Sequence, residues 1–247
     1  LVVRDEGDAL RRYCHVGTGN YNPKTARFYD DLGLLSSDSV LGEDLSRLFN
    51  ELSGHSTKHD YSRLLVAPHS LRKGLLMRIN RETKNHLDGK PAWIRLKLNS
   101  LLDEEIVAAI YNAADAGVKV EIVVRGICSL QLNTQARREN IKVRSILGRF
   151  LEHSRIYYFR NEGAEDYFIG SADMMQRNLD RRVESLVRIE SEKHKERLKG
   201  ILDDSMSDQY STWKLADDNQ WVRNVTNPEG AYLVNFQDHF IDKHNRA

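Results

Sequence analysis

Three short runs of apolar and β-branched residues lie between residues 93 and 146, and helix-like segments separate them. The runs cover residues 93–98, 118–124 and 141–146. Near-continuous hydrophobic runs of this length are typical of parallel strands that are buried on both faces. The segment after Asp103 begins with Glu104 and Glu105, acids that stabilise the first turn of a helix, and it ends at Gly117. This alternation predicts an α/β fold in which helices cover a sheet.

The chain also contains two versions of one motif, each a strand, a turn and a second strand that runs into a glycine. Residues 1–20 form the first version and residues 153–173 the second. Only the second begins with a histidine, His153, ten residues before the turn residue Gly163. The same spacing before Gly7 places the matching histidine upstream of Leu1, so we expect it to lie outside this chain. The motif ends are Gly17, Thr18, Gly19 and Asn20 in the first version and Gly170, Ser171 and Asp173 in the second.

Composition narrows the class of protein. The net charge of the 247 residues is +1, so polyanion binding has to come from local clusters of charge and not from the chain as a whole. The two cysteines, Cys14 and Cys128, lie in apolar runs without the spacing of metal ligands, which favours reduced, buried thiols. No run approaches the roughly 20 apolar residues of a membrane-spanning helix. These features predict a cytoplasmic protein, with peripheral membrane association left open.

The pattern divides the chain into three parts. Residues 1–60 hold the first motif and an amphipathic helix over residues 42–52, followed by a polar linker over residues 53–60. Residues 61–210 hold the βαβ pattern, the second motif, strands over residues 153–159 and 182–189, and a closing helix near Leu198. The pattern weakens in residues 211–247, but their aromatic content predicts a tail that docks on the second part.

Four blocks of sequence carry a family resemblance. A histidine followed two residues later by Lys or Arg, and then by Gly-Ser or Gly-Thr, resembles the phospholipase D superfamily, in which two such halves form one active site. The full sequences of the four blocks resemble the bacterial-type polyphosphate kinase family, and the similarity covers about residues 1–205. The resemblance implies the end of one phospholipase D-like domain and a second, nearly complete one, each a mixed sheet flanked by helices. The blocks are residues 15–27, 125–130, 145–155 and 170–182.

This resemblance implies reversible transfer of the γ-phosphoryl group of ATP to the end of inorganic polyphosphate through a phosphohistidine, giving ADP. A covalent intermediate divides one difficult transfer into two easier ones. The family's nucleophile belongs to the half that lies upstream here, so we expect the chain alone to be inactive. His153 faces that nucleophile as acid, base or hydrogen-bond donor to the transition state. Arg155, two residues later, is predicted to be catalytic as well.

The same blocks imply further contacts. Tyr29 matches a residue that contacts the nucleotide, Arg125 emerges from a strand end where α/β folds bind ligands, and Arg182 adds a second planar fork for phosphate oxygens. Arginine clusters suit phosphoryl transfer because it depends on positioning and charge neutralisation. The family uses Mg²⁺, but its metal-site residues lie upstream, so no metal ligand is assigned. A homo-oligomer of the full-length protein is expected, and no nucleic-acid partner.

Other interpretations stay open. Glycines 17 and 19 fit a simple tight turn, Tyr29 fits a packing aromatic, and the arginines fit solvated surface charges. Histidines outside the matched blocks, His59 and His69 among them, are interpreted as structural. A phosphodiesterase of the phospholipase or nuclease type is a second function. Such enzymes place lysine where this chain has Arg155 and aspartate where it has Arg160. A non-catalytic polyanion-binding module is the third function.

Overall fold

The N-terminal part is a small antiparallel sheet with one helix. In the computed structural model, which describes residues 1–55 and 59–245, three strands pair in the order β1-β2-β4. The helix α1 begins where the Asp38 carboxylate accepts a hydrogen bond from the Leu41 backbone N–H, at 2.8 Å. Residues 56–58 of the predicted linker lie outside the described residues. The elements are β1 (Val2–Asp5), β2 (Leu10–Gly17), β3 (Tyr29–Asp30), β4 (Gly33–Ser36) and α1 (Ser39–Leu52).

The rest of the chain forms a ten-stranded mixed sheet with helices, and its short strand β9 lies outside that sheet and pairs with β3. The two parallel neighbours of the predicted βαβ pattern, β6 with β7 and β7 with β8, lie at its centre. The α/β class with a mixed sheet is therefore confirmed. The elements are β5 (Leu64–Ala67), α2 (Leu71–Leu87), β6 (Trp93–Leu98), α3 (Glu104–Asp115), β7 (Lys119–Val124), α4 (Gln135–Asn140), β8 (Ile141–Ser145), β9 (Leu151–Glu152), β10 (Ile156–Phe159), β11 (Asp166–Gly170), β12 (Glu184–Arg188), α5 (Glu192–Ser205), β13 (Tyr210–Leu215), β14 (Trp221–Asn224), β15 (Val234–Asn235) and α6 (Phe236–Asn245).

The strands follow the order β14-β13-β8-β7-β6-β10-β11-β12-β5, and β15 pairs with β13. Side chains alternate between the two faces of the sheet. On β10, Tyr157 and Phe159 belong to a core beneath α2 and α3, while Ile156 and Tyr158 belong to a second core with α1 and α5. Both faces are therefore covered, which is why the central strands are hydrophobic nearly throughout.

Two predicted strands begin later than expected. The strand predicted over residues 153–159 starts at Ile156, and His153 lies in the turn that precedes it. The strand predicted over residues 182–189 is Glu184–Arg188, and Arg182 lies just outside it. Before the first strand, Ser154 and Arg155 make buried side-chain contacts, which the hydrophobic pattern does not reveal. Arg182 is instead exposed to solvent.

Residues 210–245 contribute structure that the sequence pattern did not indicate. Strand β13 pairs antiparallel with β8, with Trp213 opposite Ser145, and so extends the main sheet. Phe236, the first residue of α6, is buried against Tyr210 and Ile146. None of the helices in the described ranges is long and apolar enough to cross a membrane. Both cysteines are free thiols, Cys14 buried and Cys128 half-buried.

Candidate functional site

The two motifs meet at His153. The short strand β9 pairs in parallel with β3, which places Tyr29 opposite Leu151 and Asp30 opposite Glu152. The backbone N–H groups of His153 and Ser154 then donate to the Asp30 carbonyl, at 2.9 and 3.0 Å. This pairing joins the N-terminal part to the large sheet. It holds the residues of the second motif against those of the first.

The shorter of two contacts at Nδ1 fixes the tautomer of His153; the other, 3.3 Å from Arg155 Nη1, is not a hydrogen bond because both hydrogens of Nη1 go to backbone carbonyls. Its Nδ1 lies 2.8 Å from the backbone carbonyl oxygen of Thr18. A carbonyl oxygen can only accept, so Nδ1 carries the proton of the neutral ring and Nε2 keeps its lone pair. Burial and the nearby Arg155 charge lower the pKa of His153 to about 4, against an opposing effect of the Thr18 bond. The ring is therefore neutral at pH 7, and Nε2 can accept a proton.

Arg155 is buried next to His153, and its guanidinium is bonded on all sides; we call it and Asp173 the buried clamp. Its Nε and Nη2 donate to the two carboxylate oxygens of Asp173, at 3.0 and 2.9 Å. Its Nη1 donates to the carbonyls of Thr18 and His153, at 2.8 and 3.0 Å. Asp173 also accepts from the backbone N–H of Asn99, at 2.8 Å. Every nitrogen of the Arg155 guanidinium thus has a protein partner.

Tyr29 covers one side of the histidine. The two rings stack with centroids 4.5 Å apart and planes 12° from parallel. The Asn20 side-chain amide donates to the Tyr29 hydroxyl, at 3.3 Å. A residue of the first motif therefore helps to orient the Tyr29 ring. Tyr29 also lines a cavity of about 360 Å³ together with Phe150 and Phe240. Tyr29 therefore connects His153 to a cavity with aromatic walls, where a planar ligand can stack.

Arg125 supplies a cation close to the histidine. It follows the last residue of β7, where its Nε donates to the Asn99 side-chain oxygen, at 3.2 Å. Burial lowers its pKa, and the neighbouring Arg155 charge acts in the same direction. A guanidinium stays charged under these conditions because its ordinary pKa exceeds 12. The lowered pKa of His153 includes a contribution from Arg125, which places both groups in one electrostatic environment.

Arg182 occupies a different position. Its side chain is 57% exposed, and its nearest ion-pair partner is Glu184, with 3.9 Å between Nη1 and Oε1. No contact within the described ranges joins it to His153, Arg155 or Asp173. The predicted second arginine fork is therefore a solvated cation outside the buried clamp.

The glycines of both motifs permit close approaches of other atoms. A Cβ on Gly170 would lie 1.9 Å from the Ser185 carbonyl oxygen, and one on Gly19 would lie 1.5 Å from the Asp31 carboxylate. The Ser171 N–H donates to that same Ser185 oxygen, at 3.0 Å. In the first motif, Thr18 is buried and bonded to Leu32, and Gly17 ends β2 beside it. These residues shape the strand ends that carry the site.

A charged network under the site escaped the sequence analysis. Lys97 is only 2% exposed, and its Nζ donates to Glu152 and to the Ser154 hydroxyl, at 2.7 Å each. Burial, followed by repulsion from Glu152, raises the pKa of Asp30 to about 6. Gln237 of α6 donates to the other Glu152 oxygen, at 2.8 Å. The hydrophobic run over residues 93–98 indicates a buried strand, but it does not show that Lys97 within it has a buried acidic partner.

The acids around His153 do not fit a Mg²⁺ site. Mg²⁺ binds oxygen ligands and keeps several waters. Asp173 is bonded to Arg155 and to backbone N–H groups, and Glu152 is bonded to Lys97 and Gln237. Within residues 1–55 and 59–245, the one group of three metal-ligating side chains lies elsewhere. No step of the chemistry is therefore assigned to a metal held by this part of the chain.

Comparison with known proteins gives consistent matches along the chain. The family model described as polyphosphate kinase C-terminal domain 1 matches residues 1–58, and the one described as C-terminal domain 2 matches residues 64–234. Curated polyphosphate kinases from Streptomyces coelicolor and Mycobacterium avium are 54% and 49% identical over 246 and 244 residues. These alignments cover 100% and 99% of the chain but 33% of each relative.

A solved structure agrees with these matches. The crystal structure of polyphosphate kinase from Porphyromonas gingivalis superposes on the whole chain with a TM-score of 0.89 at 31% identity, and the match covers 39% of that protein. The chain thus spans about one third of the length of the curated relatives it matches.

Proposed function

Because this chain belongs to the polyphosphate kinase family, we propose that it is part of an enzyme that transfers the γ-phosphoryl group of ATP reversibly to the end of polyphosphate, giving ADP. One observation carries the proposal: His153 is neutral with its Nδ1 bonded to Thr18, it feels the charge of Arg125, and Tyr29, which stacks on its ring, lines an aromatic-walled cavity. Phosphoryl transfer depends on positioning and on neutralising negative charge, and this arrangement supplies both.

We assign His153 a role that depends on the arriving phosphate. Before binding, its Nε2 has a lone pair because Thr18 holds the proton on Nδ1. A polyanion close to Nε2 favours the protonated ring and raises its pKa. His153 then binds a proton at Nε2 and donates a hydrogen bond to the phosphoryl oxygens during transfer. When the product leaves, the pKa falls and the proton is released.

The surrounding residues receive separate roles in this proposal. Arg155 positions the histidine and does not bind phosphate, because Asp173 and two carbonyls occupy its nitrogens. Arg125 neutralises phosphate charge at the site. Tyr29 packs along the nucleotide while it fixes the plane of the His153 ring. Arg182, exposed at the margin, attracts the polyphosphate chain before it enters.

The test uses the full-length enzyme that contains this chain, incubated with γ-labelled ATP and Mg²⁺. We expect an acid-labile, base-stable phosphoprotein and long labelled polyphosphate. The His153→Ala variant is expected to extend polyphosphate about 10²- to 10⁴-fold more slowly, the usual contribution of a positioned acid or base. His194→Ala is the matched control, since His194 lies on α5 away from the site.

Other outcomes would identify the remaining functions. Hydrolysis of an activated phosphodiester without labelled protein would indicate a phosphodiesterase. Polyphosphate binding without either product would indicate a binding module. A His153→Ala enzyme that extends polyphosphate at the normal rate would contradict the assigned role.

A further inference from the structure

Three potential metal ligands meet where the two parts of the chain join. Glu51 lies in the last turn of α1, His59 follows the connection after α1, and His69 lies in the turn between β5 and α2. One ligand atom from each residue lies within 4.8 Å of the other two. The cluster involves none of the residues placed around His153.

The carboxylate of Glu51 is shared between the two imidazoles. Its Oε2 lies 3.0 Å from His59 Nδ1, and its Oε1 lies 3.1 Å from His69 Nε2. The imidazole rings stack, with centroids 3.7 Å apart and planes 19° from parallel. The Tyr61 hydroxyl donates to Glu51 Oε2 at 2.5 Å, which fixes the orientation of the carboxylate.

If the cluster had only a structural role, one buried ring nitrogen in it would lack a well-aligned hydrogen bond. His59 Nδ1 is buried and makes no hydrogen bond to any described residue, although a carboxylate oxygen lies 3.0 Å away. The contact is therefore short but poorly aligned for a hydrogen bond. Two stacked imidazolium rings would repel each other, so protonating both histidines does not resolve the problem. A cation that accepts the lone pairs of both rings satisfies all three residues.

The donor set selects the type of cation. Two imidazole nitrogens and one carboxylate oxygen form a set that zinc sites commonly use, with a fourth position left for water. Mg²⁺ and Ca²⁺ prefer oxygen ligands, and thiolates are not present to select a softer ion. Both histidine side chains are 37% exposed, which leaves a path for an ion and its water.

We propose that Glu51, His59 and His69 bind a divalent transition-metal ion of the zinc type. To bind one ion, the two stacked rings turn apart until both ring planes contain the metal centre. Tyr61 supports the carboxylate from outside, as partners of metal ligands commonly do. The ion links the end of α1 to the start of α2. It thereby ties the N-terminal part to the large sheet, independently of the phosphoryl-transfer site.

Metal binding is measured with the metal-free 247-residue chain at pH 7.5. Zn²⁺ is titrated against a chromophoric chelator, and one equivalent is expected to bind. His69→Ala and Glu51→Gln should weaken the affinity at least tenfold, whereas the control His194→Ala should leave it unchanged. Equal affinity in all four proteins, or no binding by the unaltered chain, would overturn the proposal.

A second measurement does not depend on the folding of any variant. Co²⁺ added to the unaltered chain should give the strong visible absorption of a four-coordinate site, and Zn²⁺ should remove it while excess Mg²⁺ should not. A weak spectrum typical of hydrated Co²⁺ would contradict the assigned ligands, and displacement by Mg²⁺ would contradict the zinc-type assignment.

Discussion

The Arg155–Asp173 pair is expected to be the most sensitive interaction of the site to a single substitution. Replacing Asp173 by Ala removes both carboxylate partners of a guanidinium whose side chain is 7% exposed. It also leaves the Asn99 N–H without its acceptor. Breaking one side of a buried ion pair costs about 3–5 kcal/mol because the remaining charge stays buried without compensation. We expect a loss of that size for Asp173→Ala.

Urea unfolding of the 247-residue chain at pH 7.5 measures this loss. For an unfolding slope of about 3 kcal/mol per molar urea, the expected midpoint decreases by about 1–1.7 M. Asp115→Ala is the control, because Asp115 makes a comparable contact with Arg137, at 2.9 Å, but its side chain is 40% exposed. That variant should lose at most about 1 kcal/mol.

The difference between the stability losses of the two variants tests whether Arg155 depends on Asp173. If Asp173→Ala loses no more stability than Asp115→Ala, the Thr18 and His153 carbonyls suffice to hold the Arg155 charge. The Nε and Nη2 groups of Arg155 would then not depend on Asp173 and could donate to phosphate, contrary to the positioning role proposed for the residue.

Two further predictions concern His153 and the glycines. The His153 ring should titrate near pH 4 by NMR; because the unfolded ring binds its proton near pH 6.5, its contribution to stability should rise with pH between about 4 and 6.5. A midpoint near 6.5 would contradict the burial and the Arg155 effect. Gly170→Ala should lose about 1–3 kcal/mol because its Cβ meets the Ser185 carbonyl, whereas Gly200→Ala, in open space on α5, should gain about 0.5–1 kcal/mol; thermal unfolding of both checks this, and equal effects would refute it.

Local patterns predicted much of the fold. The strand over residues 93–98 and the helix that begins at Glu104 lie where the hydrophobic run and the end signals placed them. Burial on both faces produces continuous hydrophobic runs, and such runs can be read without a structure. The strands after residue 209 escaped because they are not continuous hydrophobic runs: β13 is mostly half-buried and includes polar residues, and β14 is partly exposed.

The candidate site was predictable in part. His153 and Arg155 were identified by their sequence block and Tyr29 by the segment just after the first block, and the structure brings them together. Their partners were not predictable from the same signals. The acceptor that sets the His153 tautomer is the Thr18 backbone carbonyl, and every residue type has such a group. Likewise, the burial of Lys97 depends on Glu152, which is 55 residues away in the chain.

The sequence by itself determined the α/β class, the repeated motif and the choice of His153 as the candidate site histidine, since side-chain types and their spacing encode all three. Only the tertiary structure decided what these residues do to one another. The pairing of β3 with β9 buries His153 against Tyr29 and Thr18, and that burial, with the Arg155 charge, keeps the ring neutral. The pKa of a residue depends on its solvent exposure and its neighbouring charges, and these are set when distant segments pack together.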